Sequence, residues 1–540
     1  MKNILKSLAV LTVAATTLTG CIEETFPTNG VTTEQVAQSS KSLESIVKGM
    51  PAYMKNWHTW TTNAFDFGYP AIFIAQNVMT NDMIQPYNGY QHFSYWQEVQ
   101  IYLNSDYLLS QINWYYLNFQ VQAANEVIGM LSDPKTPEQI KCLAEAIAYR
   151  TATYIDMART YEFLPNATIS PVNSAGNDVT GLTVPYVTPD MTSDELSNNP
   201  RLPHAEMSKR LLEDLAEAEQ LFLSTTSARS SKVFPDLAVV YGLMARVYMW
   251  DENYPEAAKY ARKAITTGSG YAPLTRTEWF DKTNGFNNSS FNSWMWAIQY
   301  ESNDDAVTTG QLSNWASFMV PEASIGYNGQ LGSNMMIDAA LYASIDNADW
   351  RKLSWKAPAG SALSGLEPFI SASKANSLMT YTGIKFRPGS GVVDQRTTTF
   401  AVAVPLMRIE EMYLIEAEAT AQTNPGQGKT LLESFMQTYR YPTYACLATD
   451  KDGVVDECFK QKRIEFWGEN VIFYDYKRLN KGVTRAYQGS NWPATTQYNV
   501  TGRPGWMNWP FVDYESDFNK GVEGYLNPGV GDKFKPATNN

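Results

Sequence analysis

The sequence predicts a mainly α protein: a superhelix of paired helices interrupted by long irregular loop excursions. Three observations carry this. Apolar residues recur at helical spacing in several stretches, little of the chain alternates with period two, and blocks rich in Gly, Asn, Ser and Pro separate the helical stretches. The most regular segment is Leu237–Thr267, where Tyr241, Met244, Ala245, Tyr248, Ala257 and Ala264 recur at helical spacing around a turn at Asp251–Pro255. The small side chains of Ala245 and Ala257 let two antiparallel helices approach closely, and Tyr248 fills the space beside them.

That spacing resembles the tetratricopeptide pattern, so the fold class is tetratricopeptide-like. Further helices, read as degraded copies of the same unit, are expected at Asp106–Met130, Pro137–Tyr161, Ala205–Leu223, Val404–Ala421 and Gly428–Tyr439. Loop-rich blocks fall at about 53–100, 162–200, 268–400 and 480–540. Loops of this length inside one chain are functional or pack down on the scaffold as excursions. The helices therefore group at about 106–161, 205–267 and 404–439, and residues 53–100 and 268–400 are the expected ligand face.

At the N-terminus, Lys2 and Lys6 precede an apolar run from about Leu8 to Leu18, which ends in Leu18-Thr19-Gly20-Cys21. A run of this length fits a secretory h-region of about 7–15 residues and is too short to span a membrane, which takes about 20. The Leu-x-Gly-Cys ending resembles a lipobox. Residues 1–20 are expected to be removed and Cys21 to receive diacylglycerol, which ties residues 21–540 to a membrane as a single domain. The acidic pair Glu23-Glu24 directly afterwards resembles the signal by which Bacteroidetes export lipoproteins to the cell surface.

The formal charge of the whole chain is −13, from 42 basic and 55 acidic residues, which argues against a nucleic-acid partner. Besides Cys21, the cysteines are Cys142, Cys446 and Cys458; Cys446 and Cys458 could pair across a short loop or remain free thiols, and no C-x-x-C spacing exists for a zinc ribbon or a thioredoxin-type site.

Catalytic signatures are missing. The three histidines, His58, His92 and His204, have no metal-ligand spacing, and H-E-x-x-H, G-x-S-x-G and G-x-x-x-x-G-K-[ST] are absent from the sequence. Carboxylate pairs of the kind a glycosidase uses are plentiful, so residue types alone leave that reaction open. Asp450-Lys451-Asp452-Gly453 reads as a turn without an EF-hand ligand pattern; Asn303, Asp304 and Asp305 could hold a structural Ca²⁺, or form a polar turn. No cofactor is expected.

A different chemistry stands out in the loops. Between Trp57 and Trp96, 11 of 40 residues are Phe, Trp or Tyr, against 13% for the chain, and they interleave with Asn63, Gln76, Asn77, Asn81, Asp82, Gln85, Asn88 and Gln91. A pyranose presents an apolar C–H face that stacks on a ring and hydroxyls that need amide or carboxylate partners, so this mixture suits a glycan. Tyr87, Tyr90 and Trp96, around Pro86 and Gly89, are the first expected platforms; Trp315, Phe318 and Tyr327, in a Gly/Asn/Ser-rich stretch, are the second. Trp294 and Trp296, in an alternating segment from Trp294 to Tyr300, read equally as packing. Trp114, Tyr115 and Phe119, at helical spacing, read as core.

Several segments carry a family resemblance. Pro405–Ala419 (PLMRIEEMYLIEAEA) is similar to the signature helix of the SusD/RagB family of nutrient-binding outer-membrane lipoproteins. The block from Lys462-Arg463-Ile464-Glu465 through Trp467-Gly468-Glu469 to Tyr474-Asp475-Tyr476-Lys477-Arg478-Leu479 is similar to a second motif, with Asn470 and Ile472 where Gly and Arg are common in the family. Asn199-Pro200-Arg201, Asp214-Leu215, Phe163-Leu164-Pro165, the run Pro510 to Glu515 to Asn519, and Asn527-Pro528-Gly529 also match, in the family's order. The resemblance implies a tetratricopeptide-like scaffold packed against a SusC-like TonB-dependent transporter and a loop face that captures glycans, or in some members peptides. Arg408, Glu411, Glu416, Glu465, Asp475 and Arg478 are then expected to hold helices and loops together.

Overall fold

A computed structural model describes residues 40–99, 103–268, 270–309, 312–530 and 533–537. The chain divides into two compact units, Met1–Ser45 and Ile46–Asn540. Within the first, the described residues are the start of a helix, Ser40–Val47. The proposed leader and Cys21 lie outside the described residues. No helix among the described residues is long and apolar enough to cross a membrane.

The second unit is mainly α and tetratricopeptide-like. Its principal elements are α1 (Tyr69–Met79), α2 (Leu108–Met130), α3 (Pro137–Tyr161), α4 (His204–Ser224), α5 (Leu237–Trp250), α6 (Tyr254–Thr266), β1 (Trp294–Gln299), α7 (Trp315–Met319), β2 (Ala403–Arg408), α8 (Ile409–Thr423), α9 (Pro425–Tyr439), α10 (Lys451–Glu465) and α11 (Ile472–Arg478). Helices α2 to α6 pack each against the next; α6 then packs on α8, and α8 on α9 and α10. The helical stack thus continues across residues 267–402, which leave it after α6 and rejoin it at β2.

Local chemistry explains the helix ends. The hydroxyl of Thr136 accepts from the Gln139 amide at the start of α3, where Pro137 occupies the first turn and needs no hydrogen-bond partner. Asp236 caps α5, and Asp450 caps α10 by accepting from the Gly453 amide at 2.8 Å, so Asp450–Gly453 is a helix start. At the other end of α3, Lys477 Nζ donates to the carbonyls of Arg159, Thr160 and Glu162 at 2.7, 2.9 and 2.7 Å, covering carbonyls that the helix leaves unpaired.

Two expectations are corrected. Residues 404–408 are strand, not helix: β2 pairs antiparallel with β1, with Trp294 opposite Arg408 and Gln299 opposite Ala403. Every β2 residue is buried, and Ala403–Met407 read as an apolar run with no period-two signal. The loop-rich block at 53–100 contains α1, whose eleven residues are all buried. Gln76, Asn77, Asp82 and Gln85, expected among the sugar-binding amides and acids, are buried. Asn77 Nδ2, for example, donates to the Glu469 carbonyl at 3.0 Å. Trp294 and Trp296 are packing residues of β1. Cys142, Cys446 and Cys458 are buried free thiols.

A charged layer sits where the excursion rejoins the helices. Arg408 at the end of β2, Glu410 in the first turn of α8, Arg440 just after α9, Glu465 at the end of α10, and Arg351 from the excursion all have fully buried side chains. Asp349, Glu469 and Lys385 complete the layer with four cations against four anions. Buried charges persist only when paired and hydrogen-bonded, and here each anion faces one or more cations. Of the other residues expected to brace the fold, Glu411 binds Arg246 in bidentate fashion at 2.7 Å, and Asp475 and Arg478 join a second cluster with Glu418 and Lys462.

His204, at the start of α4, links three helices. Its Nδ1 meets Glu162 at 2.7 Å and its Nε2 meets Asp251 at 3.0 Å, so both ring nitrogens must carry hydrogen. Burial lowers its pKa, but Asp251 and Glu162 outweigh that and raise it to about 9. A raised folded-state pKa stabilises the protein fully below the unfolded value of about 6.5, and the contribution is lost as pH rises through the folded value. His204→Gln is therefore expected to cost about 1–3 kcal/mol at pH 6 and much less above pH 9, as read from paired urea melts at the two pH values. An equal gap at both would show that the imidazole is neutral.

Candidate functional site

Two loops, 86–92 and 326–333, form an aromatic surface on a buried aromatic core. The base of the first loop is fixed by two glutamines: Gln97 Oε1 accepts from the Gln85 amide at 2.7 Å, Gln97 Nε2 donates to the Gln85 carbonyl at 2.9 Å, and Gln85 Oε1 accepts from the Phe93 amide at 2.8 Å. Gly89 adopts φ of +69°, and a Cβ there would sit 2.2 Å from the Leu331 carbonyl, so only glycine lets the two loops meet this closely. Ser333 Oγ donates to the Tyr90 carbonyl at 2.6 Å and closes the contact.

The second loop rests on α7. Asn314 caps this short helix, Ser317 Oγ accepts from the Tyr327 amide at 3.0 Å, and Asn328 Nδ2 donates to the Phe318 carbonyl at 2.8 Å. The result brings together Tyr90 and Tyr327, 237 residues apart in sequence, with ring centroids 5.4 Å from each other. His92 packs against both, at 5.7 and 4.6 Å. Tyr90 is 53% exposed and Tyr327 is half-buried. The amides of Asn88 and Gln330 are exposed on the same two loops. Burial lowers the pKa of His92, so the patch is uncharged at neutral pH. Neutral rings with amides beside them can stack on the C–H face of a sugar and hydrogen-bond its edge.

The six aromatic candidates thus divide. Tyr90 and Tyr327 form the patch. Tyr87 is 39% exposed on the same loop, but its hydroxyl is bonded to Glu98 and to Thr495 Oγ1, which leaves its ring as its free feature. Trp96, Trp315 and Phe318 are 2%, 1% and 0% exposed and cannot touch a ligand, a correction to the expectation for all three. Trp96 packs on Phe65 and Phe93, Trp315 on Phe73 and Phe386, and Phe318 on Phe67, Phe93 and Tyr327. They form the floor on which the exposed rings stand.

His92 is the residue that sequence reasoning missed, and its only signal was its place one residue past Gln91 in the aromatic run. Expectation also failed in the opposite sense on α2. Trp114 is core, but Tyr115 and Phe119 are half-buried on the outer face, where Tyr115 stacks with Trp60 and Tyr514 and Phe119 with Tyr53. Of the three acidic-turn residues, Asp304 accepts from Lys55 Nζ at 2.6 Å and from the Glu301 amide at 2.7 Å.

The model of the SusD family matches residues 279–528. Among solved structures, a SusD-like carbohydrate binding protein from Bacteroides vulgatus ATCC 8482 superposes with TM-score 0.70 at 19% identity, covering 91% of this chain and 98% of its own. A SusD superfamily protein from Bacteroides thetaiotaomicron VPI-5482 gives 0.67 at 17% identity over 91% and 100% of the two chains. Surface glycan-binding protein A from Bacteroides thetaiotaomicron, solved in complex with laminarihexaose, gives 0.63 at 17% identity over 91% and 99%. None of the curated proteins matches the chain significantly in sequence. Residues 279–528 thus match the SusD family model, and the fold is that of SusD-like proteins over nine-tenths of the chain.

Proposed function

We propose that this protein is a non-catalytic, surface-exposed lipoprotein that binds oligosaccharide and delivers it to a SusC-like TonB-dependent transporter in the outer membrane, to which Cys21 anchors it on the extracellular side. The observation that carries the reading is the exposed, uncharged pair of Tyr90 and Tyr327, held rigid by Gly89 and Ser333 above a buried aromatic floor. The glycan-bound relative of the same fold supports it. A ring pair at the surface buries few ligand atoms, so affinity is modest, which suits a protein that must release its cargo to a channel.

The test is binding of the soluble protein, beginning after Cys21, to a panel of plant, host and bacterial glycans, with product analysis on the same samples. Selective binding without cleavage is expected. Tyr90→Ala should weaken it about 2- to 12-fold, as one stacking contact of about 0.5–1.5 kcal/mol predicts, with the melting temperature unchanged. Cleavage products would make the protein a glycosidase, and binding of peptides alone would move it to another nutrient.

A further inference from the structure

A second aromatic surface, on α2 and on the segment 53–68 ahead of α1, takes no part in the Tyr90 and Tyr327 patch. Between Gln111 and Glu126 the α2 residues that are not buried are Gln111, Tyr115, Asn118, Phe119, Gln122 and Glu126. That outward stripe holds three amides, two rings and one acid, with no aliphatic side chain and no cation, where a solvent-facing stripe ordinarily carries several charges. Tyr115 and Phe119 stand one turn apart, with ring centroids at 6.2 Å and planes 27° apart. Each meets a more exposed ring from the preceding segment. Trp60, 41% exposed, lies on Tyr115 at 3.4 Å and 28°, and Tyr53, 37% exposed, faces Phe119 at 6.3 Å and 19°. One face of the Trp60 indole is therefore supported from below and the other is turned to solvent.

The segment is built to hold Trp60 in that place. The carboxylate of Asp66 is 0% exposed; one oxygen accepts from the amides of Trp60 and Thr61 at 2.9 and 2.6 Å, and the other from the hydroxyl of Tyr116, the α2 neighbour of Tyr115. The Gly68 amide donates to the same hydroxyl at 3.1 Å. A buried carboxylate persists only when hydrogen-bonded, so Asp66 ties the loop backbone to α2 and fixes the indole over Tyr115.

The amides beside the rings share one orientation. Asn63 Nδ2 donates to Thr61 Oγ1, Gln111 Nε2 to the Asp106 carbonyl, Asn118 Nδ2 to the Trp114 carbonyl and Gln122 Nε2 to Glu126. Among the described residues, nothing donates to their side-chain carbonyl oxygens. Flat ring faces are thus bordered by free acceptors. A protein partner would find neither aliphatic side chains nor a cation to pair with along the stripe, whereas a pyranose stacks its C–H face on the indole and donates its hydroxyls to the carbonyl oxygens. Acids close both ends: Glu126 at one, and at the other the half-buried Asp513 and Glu515 and the exposed Asp517, around Tyr514, whose ring lies 5.2 Å from that of Tyr115. Carboxylates accept from hydroxyls and repel acidic sugars, so the charge selects a neutral glycan.

We propose that this face, with Trp60 and Tyr53 as its exposed rings, is a second carbohydrate-binding surface for a neutral glycan. It shares the ligand class of the Tyr90 and Tyr327 reading but none of its residues, and among the described residues no ring of one group contacts a ring of the other.

The experiment is retardation of the chain from residue 21 onward in native gels carrying laminarin, hydroxyethylcellulose, galactomannan or pullulan, with polygalacturonate as the acidic comparison. At least one neutral polymer is expected to retard the protein. Trp60→Ala should weaken that binding about 2- to 12-fold, and by the same factor in a chain that already carries Tyr90→Ala, with the melting temperature unchanged. Asn118→Ala, a helix-favouring change that leaves every ring in place, should weaken it by a similar factor and decides the matter if Trp60→Ala does not fold. Loss in Trp60→Ala with none in Tyr90→Ala would uphold this surface and remove the other. Undiminished retardation of both Trp60→Ala and Asn118→Ala would overturn the proposal whatever Tyr90→Ala does, and leave the face to a protein partner. Retardation by polygalacturonate alone, or by no polymer, would overturn it as well.

Discussion

Glu465→Gln is expected to remove about 3–5 kcal/mol of stability, a large share of the roughly 5–15 kcal/mol that holds a folded domain together. The side chain is fully buried, and its carboxylate meets three guanidinium groups: Arg351 at 2.9 Å, Arg408 at 3.1 Å and Arg440 at 2.7 Å. Burial alone would push this carboxyl group up; Arg440, Arg408 and Arg351 instead hold it well below the usual carboxylate range. A depressed folded-state pKa contributes stability above the unfolded value near 4.3, which is lost only as pH falls through the folded one, so the contribution is complete at neutral pH.

Glutamine has nearly the same volume but replaces one acceptor with an N–H₂ donor that points into a cluster of donors, and the layer goes from four anions to three against four cations. Urea unfolding at pH 7 measures the loss. Glu416→Gln is the control: Glu416 pairs with the 45% exposed Arg262, and such a surface pair is worth about 0–1 kcal/mol. A loss below about 1 kcal/mol for Glu465→Gln as well would mean that Asp349, Glu410 and Glu469 carry the charge balance without it.

The same layer shows what a sequence can and cannot reveal. The paired helices were legible because α6 buries one face, recorded in the spacing of Ala257 and Ala264, and because the long apolar α5, nearly all of it buried, lies one short turn before it. α1 was not, because all of its residues are buried and it has no polar face to set a period; Gln76 and Asn77 within it then resembled loop amides. β2 was hidden for the same reason and was absorbed into the helix that follows it. The charges of the motif segments could be assigned to bracing, but their partners could not: Arg351 and Lys385 lie in the irregular excursion, more than 80 residues before Glu465 and Glu469. The aromatic loops signalled an aromatic surface in composition, yet composition does not separate a ring that stands on the surface from the ring beneath it.

Trp315 and Tyr90 test that distinction. Both were candidate platforms, and their replacement by alanine should now give opposite results. Trp315 is 1% exposed, its ring 5.1 Å from that of Phe386 and 6.4 Å from that of Phe73, in a helix whose five residues are all buried. Removing a buried indole leaves a cavity that close-packed neighbours only partly fill, at a cost of about 3–5 kcal/mol. The same helix positions Phe318, on which Tyr327 lies at 4.8 Å, and the Tyr327 amide is bonded to Ser317. Trp315→Ala should therefore lower the denaturation midpoint and weaken glycan binding together, while Tyr90→Ala should weaken binding alone. Urea melts and glycan titrations on both variants measure the two effects separately. If Trp315→Ala lost binding with its stability intact, the ring would have to reach the ligand through an opening of the 326–333 loop, and the rigid-floor account of the site would fall.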